Sequence, residues 1–357
     1  MVKRETGTGR IGVGYAVLAA VLFGASTPVA KLLVGSTPPV ILAGLFYLGS
    51  GLGLTVLRFA WRTSAEQSVA RKDIPWLAGA VIAGGILGPI ALMFGLRATS
   101  ASSASLLLNL EGVFTALLAW FVFHENFDRR ILTGMGLIVC GSVILSWQGG
   151  NIGISVGAIG VVLACVCWGI DNNLTQKISV GDPSQLAAIK GIAAGAVNLG
   201  IGISIGGRLP GIWHVTAALI VGCVGYGLSL ALFILALRHI GTARTGAYFS
   251  LGPFAGCVVS FVFLHEPLSL RFGVASVFIA VGVWLHLTEK HLHKHTHETM
   301  THSHRHVHDE HHQHSHSPYD PAGEPHAHAH THEPITHTHA HYPDIHHRHR
   351  HSRTGPA

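Results

Sequence analysis

Apolar runs fill the first 288 residues of this chain, near 11–34, 39–57, 75–96, 101–123, 131–147, 154–176, 185–206, 213–237, 243–264 and 272–288. Each is about 17–25 residues long, enough for an α-helix to cross roughly 30 Å of hydrocarbon. A backbone in hydrocarbon must satisfy its N–H and C=O groups internally, so runs of this kind restrict the chain to membrane-spanning helices. The intervals between them are short and carry turn residues, as in Gly35-Ser36-Thr37-Pro38-Pro39 and Gln148-Gly149-Gly150-Asn151. Gly49/Gly53, Gly84/Gly88, Gly191/Gly195 and Gly202/Gly206 place small residues one turn apart, which suits close helix packing in lipid. The first run is longer than the core of a signal peptide and is expected to be the first of ten spans.

Composition divides the chain in two. Charged residues make up only 11% of it, against about 25% in soluble domains. Residues 1–288 hold five of the 28 histidines, and residues 289–357 hold the other 23. The net charge of +6 is spread along connections rather than gathered on one face, so nucleic acid is not expected as a partner. Its distribution sets an orientation. With the N-terminus inside, Lys3, Arg4, Arg10, Arg58, Arg62, Arg71, Lys72, Arg129, Arg130, Lys177, Arg238 and Arg244 fall on the inner side. Arg97, Arg208 and Arg271 fall on the outer side, with Lys31 near its boundary. The positive-inside rule then expects a bacterial-type inner membrane protein with both termini cytoplasmic. Cys140, Cys165, Cys167, Cys223 and Cys257 lie inside apolar runs and are expected to pack as small apolar groups, not as a metal or redox pair.

The spans repeat. Leu18-Ala-Ala-Val-Leu-Phe23-Gly24 recurs as Leu163-Ala-Cys-Val-Cys-Trp168-Gly169. Further along, Leu96-Arg97 recurs as Leu237-Arg238, His124-Glu125 as His265-Glu266 and Arg130 as Arg271, all three at one constant offset that is slightly shorter than the first. Five spans per copy is an odd number, so the copies are expected to lie in opposite orientations, the arrangement of many secondary transporters. The expected units are 1–148, 149–288 and a tail over 289–357.

These residues resemble the EamA branch of the drug/metabolite transporter superfamily. The resemblance covers about residues 11–288. It rests on five plus five spans, the aromatic-glycine pairs Phe23-Gly24 and Trp168-Gly169, Glu125 and Glu266 ending spans 4 and 9, and the run Leu107–Trp120. Where the family usually has a proline, span 4 has Gly112; the second copy keeps it as Pro253. The resemblance implies an all-α carrier for small organic molecules, often an exporter, and not an enzyme.

Ionisable groups inside a bilayer are costly and mark candidate sites. Glu111 lies near the middle of span 4, and Asp171-Asn172-Asn173 falls in span 6 at positions equivalent to Ser26-Thr27-Pro28 in span 1. Matched polar or proline interruptions are expected where discontinuous helices line a central cavity, so Glu111, Asp171 and Asn172 are expected to face it. Lys190 in span 7 is the nearby cation that could pair with Asp171. The plainer readings are that Glu111 only links helices, and that Asp171 and Lys190 reach for the headgroups. Lys31, Arg97, Arg238 and Arg244 read as anchoring flanks, and Glu125 and Glu266 as caps.

In the tail, histidine alternates with small or polar residues from His291 to His316. A second stretch carries His326, His328, His330, His332, His337, His339, His341, His346, His347 and His349. Imidazole suits zinc, nickel, cobalt and copper, so these ten are expected metal ligands. With so few apolar residues the tail is expected to be disordered until metal orders it. A pH sensor is the other physical reading. The leading expectation is a secondary transporter of a small metabolite, acting as an exporter, with a metal-binding cytoplasmic tail and no required cofactor. Carriage of a transition metal or its chelate and a membrane-anchored metal buffer or sensor are the alternatives. Lipid, substrate and metal ions are the expected partners, with a homodimer left open.

Overall fold

The computed structural model describes residues 5–61, 71–123, 129–147, 155–178, 183–288, 291–296, 300–306, 326–332 and 336–341. Up to residue 147 it contains α1 (Glu5–Val34), α2 (Pro39–Trp61), α3 (Ile74–Ala80), α4 (Gly88–Ala98), α5 (Ala101–Leu107), α6 (Leu110–Phe123) and α7 (Arg129–Ser146). From there to residue 288 it contains α8 (Val156–Lys177), α9 (Pro183–Ser204), α10 (Ile212–Val221), α11 (Ser229–Phe249), α12 (Gly252–Leu264) and α13 (Leu270–Leu287). Seven helical stretches are long and apolar enough to cross a membrane. Three shorter apolar helices, Arg130–Ser146, Gly252–Leu264 and Leu270–Leu285, stand where the other three predicted runs lie. Phe59, Trp213 and Leu270 are 81%, 82% and 87% exposed, as on a surface that faces lipid rather than water. Inside, Phe46, Leu92, Met93, Leu96, Leu107 and Ile138 are fully buried in one cluster.

Helices pack across the midpoint of the chain: α2 on α9, α7 on α13, α4 on α8, α1 on α11, α6 on α8 and α1 on α12. Exchanging each helix for its sequence counterpart returns the same set of pairs. Close approach explains part of the glycine content, since a Cβ added to Gly191 on α9 would lie 2.6 Å from the Cα of Gly51 on α2. Two details carry the repeat to single residues. The π-helical turns Val81–Leu87, between α3 and α4, and Gly222–Leu228, between α10 and α11, are separated by the same offset that relates Arg130 to Arg271. Arg130 at the start of α7 donates to Thr288 Oγ1 beyond the end of α13 (2.6 Å), while Arg271 at the start of α13 donates to the carbonyl of Trp147 beyond the end of α7. Donors and acceptors are again related by that offset, and the exchange shows that α7 and α13 run antiparallel.

The interruptions fall elsewhere than the sequence suggests. α1 runs through Ser26-Thr27-Pro28 and α8 through Asp171-Asn172-Asn173 without a break. Their polar side chains find partners that leave the helix intact: Ser26 Oγ donates to the Phe23 carbonyl (2.6 Å) and Asn173 Nδ2 to the Gly169 carbonyl (2.8 Å). The breaks are in spans 4 and 9, at Leu108-Asn109 between α5 and α6 and at Ser250-Leu251 between α11 and α12. Asn109 and Ser250 are equivalent under the offset that relates the two π turns.

In the tail, where the sequence suggests disorder, four segments form strands: β1 (His291–Thr296), β2 (Met300–His306), β3 (His326–His332) and β4 (Thr336–His341). β1 pairs with β4 and β2 with β3, both antiparallel. Alternation of histidine with another residue has the period of a strand, so this backbone form accommodates it.

Candidate functional site

The two breaks open on one cavity of about 190 Å3, lined among others by Phe23, Asn109, Glu111, Phe249, Ser250 and Pro253. Each break has its own local cause. At the first, Asn109 Nδ2 donates back to the Leu106 carbonyl (3.0 Å) and so competes with the helical ladder. The Leu107 carbonyl left over at the end of α5 accepts from the thiol of Cys165 on α8 (3.7 Å). At the second, Pro253 stands in the first turn of α12, where its missing N–H removes no helical bond. The break in span 4 therefore forms without the proline that Gly112 replaces.

Glu111 lies in the first turn of α6, where the helix dipole favours a carboxylate, and is half-buried on the cavity wall. Asn172 Nδ2 on α8 donates to Glu111 Oε1 (2.9 Å) and to Thr115 Oγ1 (3.1 Å). Across the cavity the wall is aromatic. The rings of Phe23 and Phe249 stand 5.3 Å apart, Phe23 packs on Tyr226 at 5.7 Å, and Phe249 packs on Phe233 at 4.9 Å.

Asp171 and Lys190 belong to the Glu111 and Asn172 side and are not among the lining residues. Lys190 Nζ lies 2.5 and 2.8 Å from the two carboxylate oxygens of Asp171, and Thr175 Oγ1 donates to the same carboxylate at 2.9 Å. Asp171 is 7% exposed, and its carboxylate fills the place a Cβ on Gly84 would take. The π turn that contains Gly84 offers its carbonyls to side chains: Gly84 accepts from Tyr47 Oη (2.6 Å) and Trp168 Nε1 (2.9 Å), and Gly85 from Asn198 Nδ2 (3.0 Å). Of the four residues expected at the site, Glu111 lines the cavity and Asn172 reaches it through Glu111. Asp171 and Lys190 form a closed pair one layer away.

Sequence reasoning did not single out Phe23, Asn109, Phe249 or Ser250 as site residues. The constant offset between the halves, which makes Asn109 and Ser250 equivalent, was the available signal. Other expectations concern helix ends. Lys31 Nζ caps the Leu96 carbonyl at the end of α4 (2.5 Å), and Glu266 accepts from the N–H groups of Ala101 (2.7 Å) and Ser102 (2.9 Å) at the start of α5. His265, with φ +52°, makes the left-handed turn that leads into Glu266. All five cysteines are free thiols. Of the expected metal ligands, His326, His328, His330 and His332 lie in β3 and His337, His339 and His341 in β4. His346, His347 and His349, and the cap expected from Glu125, lie outside the described residues.

Comparison with other proteins agrees with this architecture. A protein of Methanothermobacter thermautotrophicus named as an uncharacterized transporter is 27% identical over 289 residues, 75% of this chain and 84% of its own length. A probable amino-acid metabolite efflux pump of Salmonella typhimurium is 26% identical over 297 residues, 76% of this chain and 93% of its own. A probable 4-amino-4-deoxy-L-arabinose-phosphoundecaprenol flippase subunit, ArnE, of Pseudomonas aeruginosa is 38% identical over 102 residues, 28% of this chain and 88% of its own. A crystal structure with 16% identity has the same fold at a TM-score of 0.59, covering 79% of this chain and 98% of that one. The model of the EamA-like transporter family matches residues 10–147 and 155–288. This multi-pass membrane chain belongs to the EamA-like transporter family.

Proposed function

We propose that this transporter exports a small metabolite bearing an amino group, by alternating access between two five-helix halves of opposite orientation in the inner membrane. Its cytoplasmic tail binds a divalent transition metal as an accessory to that transport. The observation that carries the substrate class is the composition of the cavity: Glu111, Asn109 and Ser250 line it together with the rings of Phe23 and Phe249, with no Lys or Arg among the described lining residues. An ammonium group gains there from a carboxylate and from ring faces. The Salmonella pump is named for amino-acid metabolites and the Pseudomonas subunit for an aminoarabinose lipid, and these share an amino group.

Alternating access is supported by the paired breaks, the paired π turns and the reciprocal Arg130 and Arg271 contacts, since two equivalent halves can exchange conformations about a site between them. The test loads proteoliposomes of the purified chain with labelled amino acids, monoamines or anionic metabolites and follows efflux. Amino-bearing solutes are expected to leave faster than from empty liposomes, and Glu111→Gln is expected to remove that excess. Efflux of anionic solutes alone, unchanged by Glu111→Gln, would overturn the reading.

A further inference from the structure

The tail strands pair histidine with histidine. In β1 and β4 the partners are His291 with His341, His293 with His339 and His295 with His337. In β2 and β3 they are His302 with His330, His304 with His328 and His306 with His326. The remaining pairs in the two ribbons contain Leu292, Lys294, Ser303, Arg305 and several Thr and Ala, with no acidic residue on any of the four strands. The two registers also coincide. Counting the same number of positions forward from His291 and back from His341 leads to Met300 and His332, which are themselves partners. The two rows of histidines belong to two separate two-stranded sheets.

We infer that the tail holds two separate transition-metal sites, one per ribbon, each formed by two neighbouring cross-strand histidine pairs. The inference rests on the metal-binding reading of the tail and adds the pairing of its ligands and its number of sites. Opposed positions of an antiparallel pair have Cβ atoms about 4.5–5.5 Å apart, and positions i and i+2 of one strand are about 7 Å apart. Four imidazoles at the corners of such a rectangle can close a tetrahedral shell on one ion, as the four-ligand structural zinc sites do. A site of nitrogen donors alone selects zinc, nickel, cobalt or copper and leaves out calcium and magnesium, which take oxygen ligands. A two-stranded ribbon with so little apolar surface is marginal without support, so the metal also holds the strands together. His291, His293, His295, His302, His304 and His306 thereby become ligands alongside the later histidines. The pairing singles them out, whereas the sequence reading named only the later histidines, from His326 on, as ligands.

The experiment compares three forms of the full chain in detergent, titrated with Zn(II), Ni(II) and Ca(II) by calorimetry. One is the unaltered chain. The second moves the β2 row by one position without changing composition, by Thr301→His, His302→Thr, Ser303→His, His304→Ser, Arg305→His and His306→Arg. The third replaces the partner row, His326→Ala, His328→Ala and His330→Ala. The unaltered chain is expected to bind two Zn(II) or Ni(II) tightly and no Ca(II). The second and third forms are each expected to retain one tight site, and their combination to lose no more than either. Equal binding by the unaltered and shifted chains would overturn the paired sites while leaving a metal-binding tail. Absence of any Zn(II) or Ni(II) binding by the unaltered chain would remove the tail's metal role altogether, and the inference with it.

Discussion

The two walls of the cavity are built from equivalent helix breaks and carry opposite chemistry. On the side of α5, α6 and α8 the break is made by Asn109, and the residues around it are Glu111, Asn172 and Thr115, backed by Asp171 and Lys190. On the side of α1, α11 and α12 the equivalent positions are Ser250 at the break, Gly252 for Glu111, Pro253 for Gly112 and Ser26 for Asp171. Phe23, Tyr226 and Phe249 fill the space there. The backbone repeats while the charge does not. Even the support is parallel: Asp171 packs on Gly84 of one π turn and Ser26 on Gly225 of the other, and these two glycines occupy the same place in their turns. The duplicated framework thus carries polar and charged groups beside one break and aromatic rings beside the other.

The largest break in this comparison should come from the charged layer. Lys190→Met leaves the Asp171 carboxylate buried without its cation, and thermal unfolding in detergent should show a loss of about 3–5 kcal/mol. Asp171→Leu combined with Lys190→Met should recover most of that, because it removes the charge along with its partner. If the single and double variants melt alike, the pair is not what stabilises this layer.

Glu111→Gln is the next in size. Removing the charge from a hydrogen-bonded carboxylate forfeits about 1.5–3 kcal/mol, so efflux at sub-saturating substrate should fall about 10- to 100-fold. Its melting temperature should change little, since the amide still meets Asn172. A smaller effect is expected at the helix caps: Glu266→Ala uncovers the Ala101 and Ser102 N–H groups and should lower stability by about 1–2 kcal/mol. The smallest belongs to the neutral wall. Ser26→Ala loses a local bond to the Phe23 carbonyl and should cost less than about 1 kcal/mol. A Ser26→Ala effect as large as that of Lys190→Met would erase the distinction between the walls.

Much of this was legible before the fold. The apolar runs identify themselves because hydrocarbon tolerates so few backbone forms; seven of them correspond to helical stretches long and apolar enough to cross a membrane and the other three to shorter apolar helices. The Asp171–Lys190 pair was legible as well, since a buried carboxylate needs a cation and Lys190 was the one at hand. Glu266 reads as a cap because it sits just beyond a span end. The position of the helix breaks was not legible. Pro28 and Asp171-Asn172-Asn173 look disruptive in the sequence, yet neighbouring groups absorb them. Leu108-Asn109 looks unremarkable, yet the helix ends there.

The sequence by itself determined the membrane class, the duplicated spans, the intramembrane charges and the histidine alternation, because burial in lipid and strand or helix period act residue by residue. Only the tertiary structure decided which helix breaks face each other, that Glu111 meets the cavity while the Asp171–Lys190 pair stands away from its lining, and which tail histidines are partners. Those outcomes depend on whether a second segment supplies a donor, an acceptor or a matching register at the right place, and residues far apart in the chain meet only once the helices and strands have packed.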